Sequence, residues 1–274
     1  MGAPRDPGTP ARTHDCLVPP CEASSTLSII TAVLPAKSKY LRGAARSVPT
    51  RVGPFDVEWI LSVDGPGHVP QVLATKTLFL ARHEGVSAAR NHALLAASGD
   101  WVAILDADDT LIADGLAQVC EAICADEGLG WGAGALLDVD GTCYPPTPPE
   151  AVGRYEPGTL VDAWTVPSTF HPMVAVMRRD LLLASGGWPA MAGMEDKLAI
   201  FSVSELAPGV ITGIPTHRYR RWAKQTTKSR GHATDREHYL AFIRAVLTAR
   251  RRLVDPTAPE VRTVPVRPLV RSVV

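Results

Sequence analysis

Apolar residues recur along this chain in two patterns, short β-branched runs and stripes with helical spacing. The runs are typical of strands covered on both faces. They cover residues 27–33, 57–63, 77–80, 101–105, 131–139, 173–177 and 210–214. Segments with helical spacing or helix-favouring composition lie between or after them, at 38–47, 87–97, 112–123, 178–185, 194–201 and 234–252. Strand, helix, strand in this order requires parallel strands. The pattern predicts an α/β fold with a mostly parallel sheet and helices on both sides.

Three segments fall outside this pattern. Residues 1–25 are rich in Pro, Gly, Ser and Thr, which predicts a flexible N-terminal extension. Residues 144–159 are too proline-rich for regular structure and are predicted to be irregular. Residues 255–274 carry prolines and scattered arginines and are predicted to form a C-terminal tail. One domain therefore spans 26–254.

Composition narrows the class of protein. The 274 residues are 46% hydrophobic, which suits one globular domain, and Lys+Arg equals Asp+Glu at 28 each. A balanced charge gives no net field that would recruit nucleic acid or anionic lipid, so no nucleic-acid partner is expected, although local charged patches are compatible with it. No apolar run approaches the ~20 residues of a membrane span, and a signal peptide is not evident. Five cysteines at low density predict reduced thiols, and we expect a cytoplasmic protein of bacterial composition.

Carboxylates cluster directly after the run at 101–105. Asp106, Asp108 and Asp109 lie within four residues, where they repel one another unless a cation compensates them. Divalent metals take hard oxygen ligands, and ligands in open α/β sheets bind beyond the carboxyl ends of the strands. A divalent metal, Mg²⁺ or Mn²⁺, is therefore expected. The alternative is a solvated acidic turn that caps the next helix.

Two spaced motifs give the chain a family resemblance. Residues 85–91 read Gly-Val-Ser-Ala-Ala-Arg-Asn and are followed by a strand that ends in Asp106-Ala-Asp-Asp. A Gly186-Gly187-Trp188 turn precedes Glu195-Asp196 at a helix start. This combination resembles the inverting GT-A glycosyltransferases of family two. The resemblance implies one GT-A domain with a nucleotide-binding half (27–110), an acceptor half (111–232) and a C-terminal helix (234–252).

The resemblance also implies roles for individual residues on the donor side. Thr31 and Pro35 form the turn after the first strand, and Asp64 faces the nucleotide base. Arg90 serves the diphosphate, since a guanidinium at a helix N-terminus suits phosphate oxygens. Asp106 contacts the ribose or the sugar.

The metal and the acceptor side follow from the same resemblance. Asp108 would hold the metal, with His217 as the nearest histidine candidate and His232 as the next. Asp196 would take the proton from the acceptor as general base, and Glu195 is the alternative base. Acidic residues are also ordinary in the first turn of a helix, where the dipole favours them.

The expected reaction transfers a sugar from a nucleotide diphosphate sugar, by default a UDP-sugar, with inversion. The acceptor is open between a small natural product, a glycan, a peptide and a lipid phosphate, and a homodimer is compatible with this interpretation. Residues 104–110 also match the DxDxT nucleophile motif of haloacid-dehalogenase phosphatases, with Asp106 and Asp108 as its acids. An inactive nucleotide-sugar-binding protein is the third hypothesis.

Overall fold

The fold is a single curved sheet with helices on both faces. The structure, a computed structural model, describes residues 25–126, 128–138, 147–164, 170–221 and 230–263, and only the backbone of 230–234. Its strands are β1 (Thr26–Val33), β2 (Arg51–Val52), β3 (Phe55–Val63), β4 (Lys76–Phe79), β5 (Trp101–Ile104), β6 (Thr110–Leu111), β7 (Trp131–Leu137), β8 (Gly153–Tyr155), β9 (Ala175–Arg178) and β10 (Gly209–Arg218). Its α-helices are α1 (Leu41–Ser47), α2 (Val86–Ala96), α3 (Ala113–Ala125), α4 (Thr159–Asp162), α5 (Arg179–Ala184), α6 (Glu195–Ser204) and α7 (Arg230–Val254). A 3₁₀ turn, Pro35–Tyr40, precedes α1.

The sheet runs β2-β3-β1-β5-β9-β7-β10-β6, with β4 beside β3 and β8 beside β10. The long pairings are parallel: β1 pairs with β3 and β5, and β7 pairs with β10. β9 runs antiparallel between β5 and β7. Parallel strands place their carboxyl ends at one edge, so the ends of β1, β3 and β5 lie together there. The predicted α/β fold with its mostly parallel sheet is confirmed.

The described core lies on the two faces of this sheet. Ile30 of β1 belongs to one cluster, together with residues of α2, α6 and α7, whereas Ile29 belongs to the other, with residues of α1 and α3. Neighbouring residues of a strand point to opposite faces, so one apolar run supplies both clusters. This explains why the buried strands read as continuous apolar runs.

The structure shows defined contacts in the predicted irregular segment and at the start of the predicted tail. The irregular segment predicted at 144–159 contains a short strand, β8, which pairs antiparallel with β10. After α7 the chain folds back, because the Val261 N–H donates to Thr248 Oγ1 at 2.9 Å and Val261 is buried. The predicted extension at 1–25 and the end of the predicted tail lie outside the described residues. Within the described ranges, no helix is long and apolar enough to cross a membrane.

The expectation of reduced thiols throughout needs correction. Cys120, on the buried side of α3, is a free thiol, and burial raises its pKa to about 12. Cys124, one turn further along α3, is disulfide-bonded. The two cysteines therefore differ in state although they share a helix.

A buried carboxylate ties β1, β3 and β4 to the turn after α2. Glu58 of β3 accepts hydrogen bonds from the Ser28 hydroxyl of β1 and from the backbone N–H groups of Ser98 and Gly99. Lys76 of β4 donates to its other oxygen at 3.1 Å. Burial alone would raise the pKa of Glu58, but these hydrogen bonds outweigh it and lower the pKa to about 2.

We expect Glu58→Gln to lower the free energy of unfolding by about 3 kcal/mol at neutral pH, the value of the pKa shift from 4.5 to about 2. Because the folded pKa is depressed, this stabilisation is complete above pH ~4.5 and disappears as the pH falls towards 2. Urea unfolding of both proteins across that range measures it, with exposed Asp56→Asn as the control. A difference that is independent of pH would contradict the assignment.

Candidate active site

An acidic loop follows β5 at the carboxyl edge of the sheet. The Asp109 N–H donates to the Asp106 carbonyl at 3.0 Å, which closes a tight turn through Asp106, Ala107 and Asp108. The chain then enters β6, which pairs with the end of β10. The side chains of Asp106 and Asp108 are partly exposed, whereas Asp109 is buried. The loop therefore presents two carboxylates to solvent and keeps one inside.

Asp109 has an unsatisfied acceptor. Its Oδ1 accepts from the Arg220 N–H at 2.7 Å, and Arg220 Nε donates to the Asp108 carbonyl at 3.0 Å. Its Oδ2 is buried without a hydrogen-bond partner among the described residues. Burial, and then the charge of Asp106, raise the pKa of Asp109 to about 9. A buried carboxylate of this kind requires either a proton or a cation.

Arg90 connects the acidic loop to Glu195, the first residue of α6. Its Nη2 donates to Asp106 Oδ1 at 2.8 Å, and its Nη1 donates to Glu195 Oε1 at 2.6 Å. The side chain of Arg90 is 4% exposed. Burial acts to lower the pKa of Arg90, but the charges of Asp106, Glu195 and Asp196 raise it above its ordinary value. Arg90 is therefore a permanent buried cation between two acidic groups.

The start of α6 supplies the second acidic group. Met194 precedes α6 with a φ of 61°, in the left-handed region that side chains other than glycine rarely adopt. Glu195 is buried, and burial raises its pKa against the opposing charge of Arg90. Asp196 is partly exposed and its Oδ1 accepts from the Lys197 N–H at 2.7 Å. Of the two acids, Asp196 is the one that solvent reaches more readily.

Asn91 connects the two sequence motifs, a role that the sequence did not indicate. Its amide donates to the Trp188 carbonyl at 2.7 Å and its oxygen accepts from the Trp188 N–H at 2.9 Å. Gly187 has a φ of 68°, and a Cβ there would lie 2.4 Å from Asn91 Oδ1. The glycine turn therefore has to lack a side chain so that Asn91 can hold it against α2.

Two basic side chains near α6 were not anticipated. Lys197 is buried, with its Nζ 5.7 Å from the Trp164 ring centroid and 5.6 Å from that of Phe201. Burial lowers the pKa of Lys197 to about 8, although Asp196 opposes this. The His171 ring lies 6.1 Å from that of Tyr219, and burial lowers the pKa of His171. No sequence motif marks either residue, since their burial arises from packing.

His217 does not suit the predicted metal role. It is buried in β10, with its Nε2 donating to the Ile104 carbonyl at 2.9 Å and its Nδ1 accepting from the Thr216 hydroxyl at 2.9 Å. Burial lowers its pKa to about 4, so the ring is neutral. Because both nitrogens are engaged, His217 has none left for a metal. The side chain of His232 lies outside the described residues.

The predicted donor-side residues differ in their surroundings. Thr31 is fully buried and its hydroxyl accepts from Trp59 Nε1 at 2.9 Å, so its side chain supports the strand and does not face a ligand. Pro35 is partly exposed at the start of the 3₁₀ turn. A nucleotide role for Pro35 stays a prediction.

Asp64 holds the segment before α2. Its Oδ1 accepts from the Glu84 N–H at 2.7 Å and its Oδ2 from the Gly85 N–H at 3.0 Å. The His83 ring contacts the same Oδ2 at 2.6 Å. Asp64 therefore fixes the N-terminal approach to α2, and its contact with a nucleotide base stays a prediction.

A family model agrees with the organisation of this site. The model of the family described as Glycosyl transferase family 2 matches residues 71–183, which include Arg90, the acidic loop and β9. The matched segment of this chain is therefore similar to glycosyl transferase family 2. The resemblance proposed from the sequence motifs is thereby confirmed.

Solved structures show the fold of this chain. Staphylococcus aureus TarS 1–349 in complex with UDP-GlcNAc matches with a TM-score of 0.57 and 15% identity, over 74% of this chain and 61% of that one. TarS 1–349 in complex with UDP matches with a TM-score of 0.55 and 16% identity, over 72% and 60%. The chain thus spans about 60% of these fragments. The GT-A fold is confirmed, and no curated protein sequence matches the chain.

Proposed function

We propose that this chain transfers a sugar from a nucleotide diphosphate sugar, by default a UDP-sugar, to an acceptor nucleophile with inversion. The observation that carries the proposal is the Arg90 bridge, which holds the acidic loop and the start of α6 on either side of one buried cation. The family-2 match and the structural similarity to a protein crystallised with UDP and UDP-GlcNAc support the donor class. A nucleotide-release assay with a panel of UDP-sugars and acceptors tests it.

A divalent cation, Mg²⁺ or Mn²⁺, fits the acidic loop. The buried, unsatisfied Oδ2 of Asp109 is an acceptor that requires a proton or a cation. In the described part of the chain, no three His, Cys, Asp or Glu side chains form a metal cluster. Mg²⁺ is commonly held by one or two carboxylates and by substrate phosphates, so Asp108 and Asp109 would hold the cation together with the donor. When bound, it would stabilise the negative charge of the departing diphosphate.

Glu195 and Asp196 have different roles in the proposed transfer. Oε1 of Glu195 accepts a hydrogen bond from Arg90, so the role of Glu195 is to hold the start of α6 in position. Asp196, the next residue, is partly exposed and is the better general base for an acceptor hydroxyl. A base that faces the acceptor, on the side opposite the leaving group, gives a single displacement and inversion of the anomeric centre.

We expect Asp108→Ala to abolish the part of nucleotide binding that depends on metal. Calorimetric titration of UDP with Mn²⁺, with Mg²⁺ and with chelator measures this part directly. Asp114→Ala is the control, because Asp114 is an exposed acid in the first turn of α3. If the variant binds UDP as the wild type does under all three conditions, Asp108 is not a metal ligand.

The competing hypotheses make different predictions for the same protein. The phosphatase hypothesis requires an aspartyl-phosphate on Asp106, yet Asp106 is paired with Arg90 in the segment that is similar to glycosyl transferase family 2. Trapping this intermediate would revive that hypothesis. An inactive binding protein would bind UDP-sugar without releasing UDP in the presence of any acceptor.

A further inference from the structure

A shallow groove lies between α1 and the loop that leads to β4. It is lined by Arg42, Ala45, Arg46, Gln71, Val72 and Leu73. None of these residues belongs to the site described above. The groove is nevertheless close to it, because the Leu111 N–H of β6 donates to the Ser47 hydroxyl of α1 at 3.0 Å. Arg220, which contacts the acidic loop, lies 4.4 Å from the ring centroid of Tyr40, just before α1.

Both walls of the groove lack acidic residues. The sequence contains no Asp or Glu from residue 23 to 55 or from residue 65 to 83, although the whole chain has equal numbers of acidic and basic residues. Arg42 and Arg46 are exposed on the first wall, and Lys39 is exposed in the 3₁₀ turn that precedes α1. None of the three forms an ion pair with an acid in the described part of the chain. The wall is therefore a local cationic surface on a protein without net charge.

The second wall carries an exposed apolar side chain. Leu73 is 98% exposed, whereas its neighbour Val72 packs against the core cluster beneath the loop. A single exposed leucine is ordinary on a protein surface. Leu73, however, lines the same groove as Arg42 and Arg46, whose charges no acidic side chain balances. An apolar side chain next to such cations is the combination that binds the interface of an anionic bilayer.

We propose that the surface formed by Lys39, Arg42, Arg46 and Leu73 binds bilayers that contain anionic phospholipids. The three cations match the negative headgroups, and Leu73 enters the boundary between headgroups and acyl chains. A soluble polyanion would use the cations but would leave Leu73 without a partner. The charge and the apolar contact together therefore favour a bilayer.

Co-sedimentation of the full chain with vesicles tests this surface. The vesicles are phosphatidylcholine alone and phosphatidylcholine mixed with phosphatidylserine. We expect binding to the mixed vesicles, and a loss of more than ~25-fold in the double variant Arg42→Glu/Arg46→Glu, because each surface cation contributes roughly fivefold. The control is Arg252→Glu/Arg262→Glu, which makes the same change of net charge at exposed C-terminal positions and should bind like the wild type.

Leu73→Ser separates a bilayer from a soluble polyanion. We expect this variant to bind mixed vesicles severalfold more weakly and to bind heparin as the wild type does. Failure of the wild type to bind mixed vesicles would overturn the proposal, as would equal losses in the double variant and its control. Tight heparin binding with unchanged vesicle binding by Leu73→Ser would assign the surface to soluble polyanions and also overturn it. UDP-sugar turnover is a separate measurement, so either proposal can fail alone.

Discussion

Asp196→Asn is expected to lower the single-turnover rate of sugar transfer to a hydroxyl acceptor by roughly 10²–10⁴-fold. The variant should keep near-normal affinity for the donor, because the donor is expected to contact the acidic loop and the start of α2. Asn preserves the size of the side chain and can still accept from the Lys197 N–H, so the fold should persist. Rapid-quench measurement of product, with donor affinity determined by separate titration, resolves the two quantities.

The alternative role of Asp196 predicts a different result. If it only complements the dipole of α6, the variant should lose on the order of 0.3–1 kcal/mol of stability and retain its turnover per folded molecule. Transfer to a hydroxyl acceptor at the wild-type rate would remove Asp196 as the base. Glu195→Gln is a useful comparison, since it weakens the ion pair with Arg90 and should affect stability as well as rate.

Arg90→Met is expected to lower the free energy of unfolding by about 3–5 kcal/mol, because it leaves Glu195 buried and partnerless and removes the partner of Asp106. Urea unfolding measures the loss. Arg51→Met is the matched control: Arg51 pairs with Asp56 at 3.0 Å on the surface, where such pairs contribute about 0–1 kcal/mol. A loss in Arg90→Met no larger than in the control would mean that the bridge does not stabilise the fold.

A second replacement distinguishes the bridge from simple loss of packing. Glu195→Gln in the Arg90→Met background removes a buried charge that has lost its partner, so part of the stability should return.

The predicted role of Arg90 in diphosphate binding has its own test. Arg90→Lys keeps the charge, and it should weaken UDP more than uridine if the guanidinium serves the phosphates.

Local patterns in the sequence were sufficient for most of the fold. The strands at β1, β3 and β5 and the helix α2 were predicted within a residue or two, because apolar runs and helix-favouring composition reflect burial at each position. β10 is longer than predicted, and β8 was missed within the proline-rich segment. Both form through pairing with distant strands, which local composition does not encode.

The candidate site was predictable in its parts but not in its connections. The acidic loop and the Glu195-Asp196 pair follow from motifs. The contact of Arg90 with Glu195, across 105 positions of sequence, depends on how α2 and α6 pack over the sheet. His217 was proposed as a metal ligand from the family resemblance, whereas its burial and both of its hydrogen bonds arise from β10 lying beside the acidic loop.

The position of β9 limits which segments proteins of this architecture can exchange by recombination. β9 follows the predicted boundary at residue 110 in sequence, yet it lies between β5 and β7, and β6 of the acidic loop pairs with β10. A cut after residue 110 would therefore break ladders on both sides and leave the β5 edge bare. Recombination between relatives at that boundary should produce insoluble chimeras. New acceptor preferences are then expected to arise by substitution in the connecting loops, such as the segment between β7 and β9, and not by grafting a whole half.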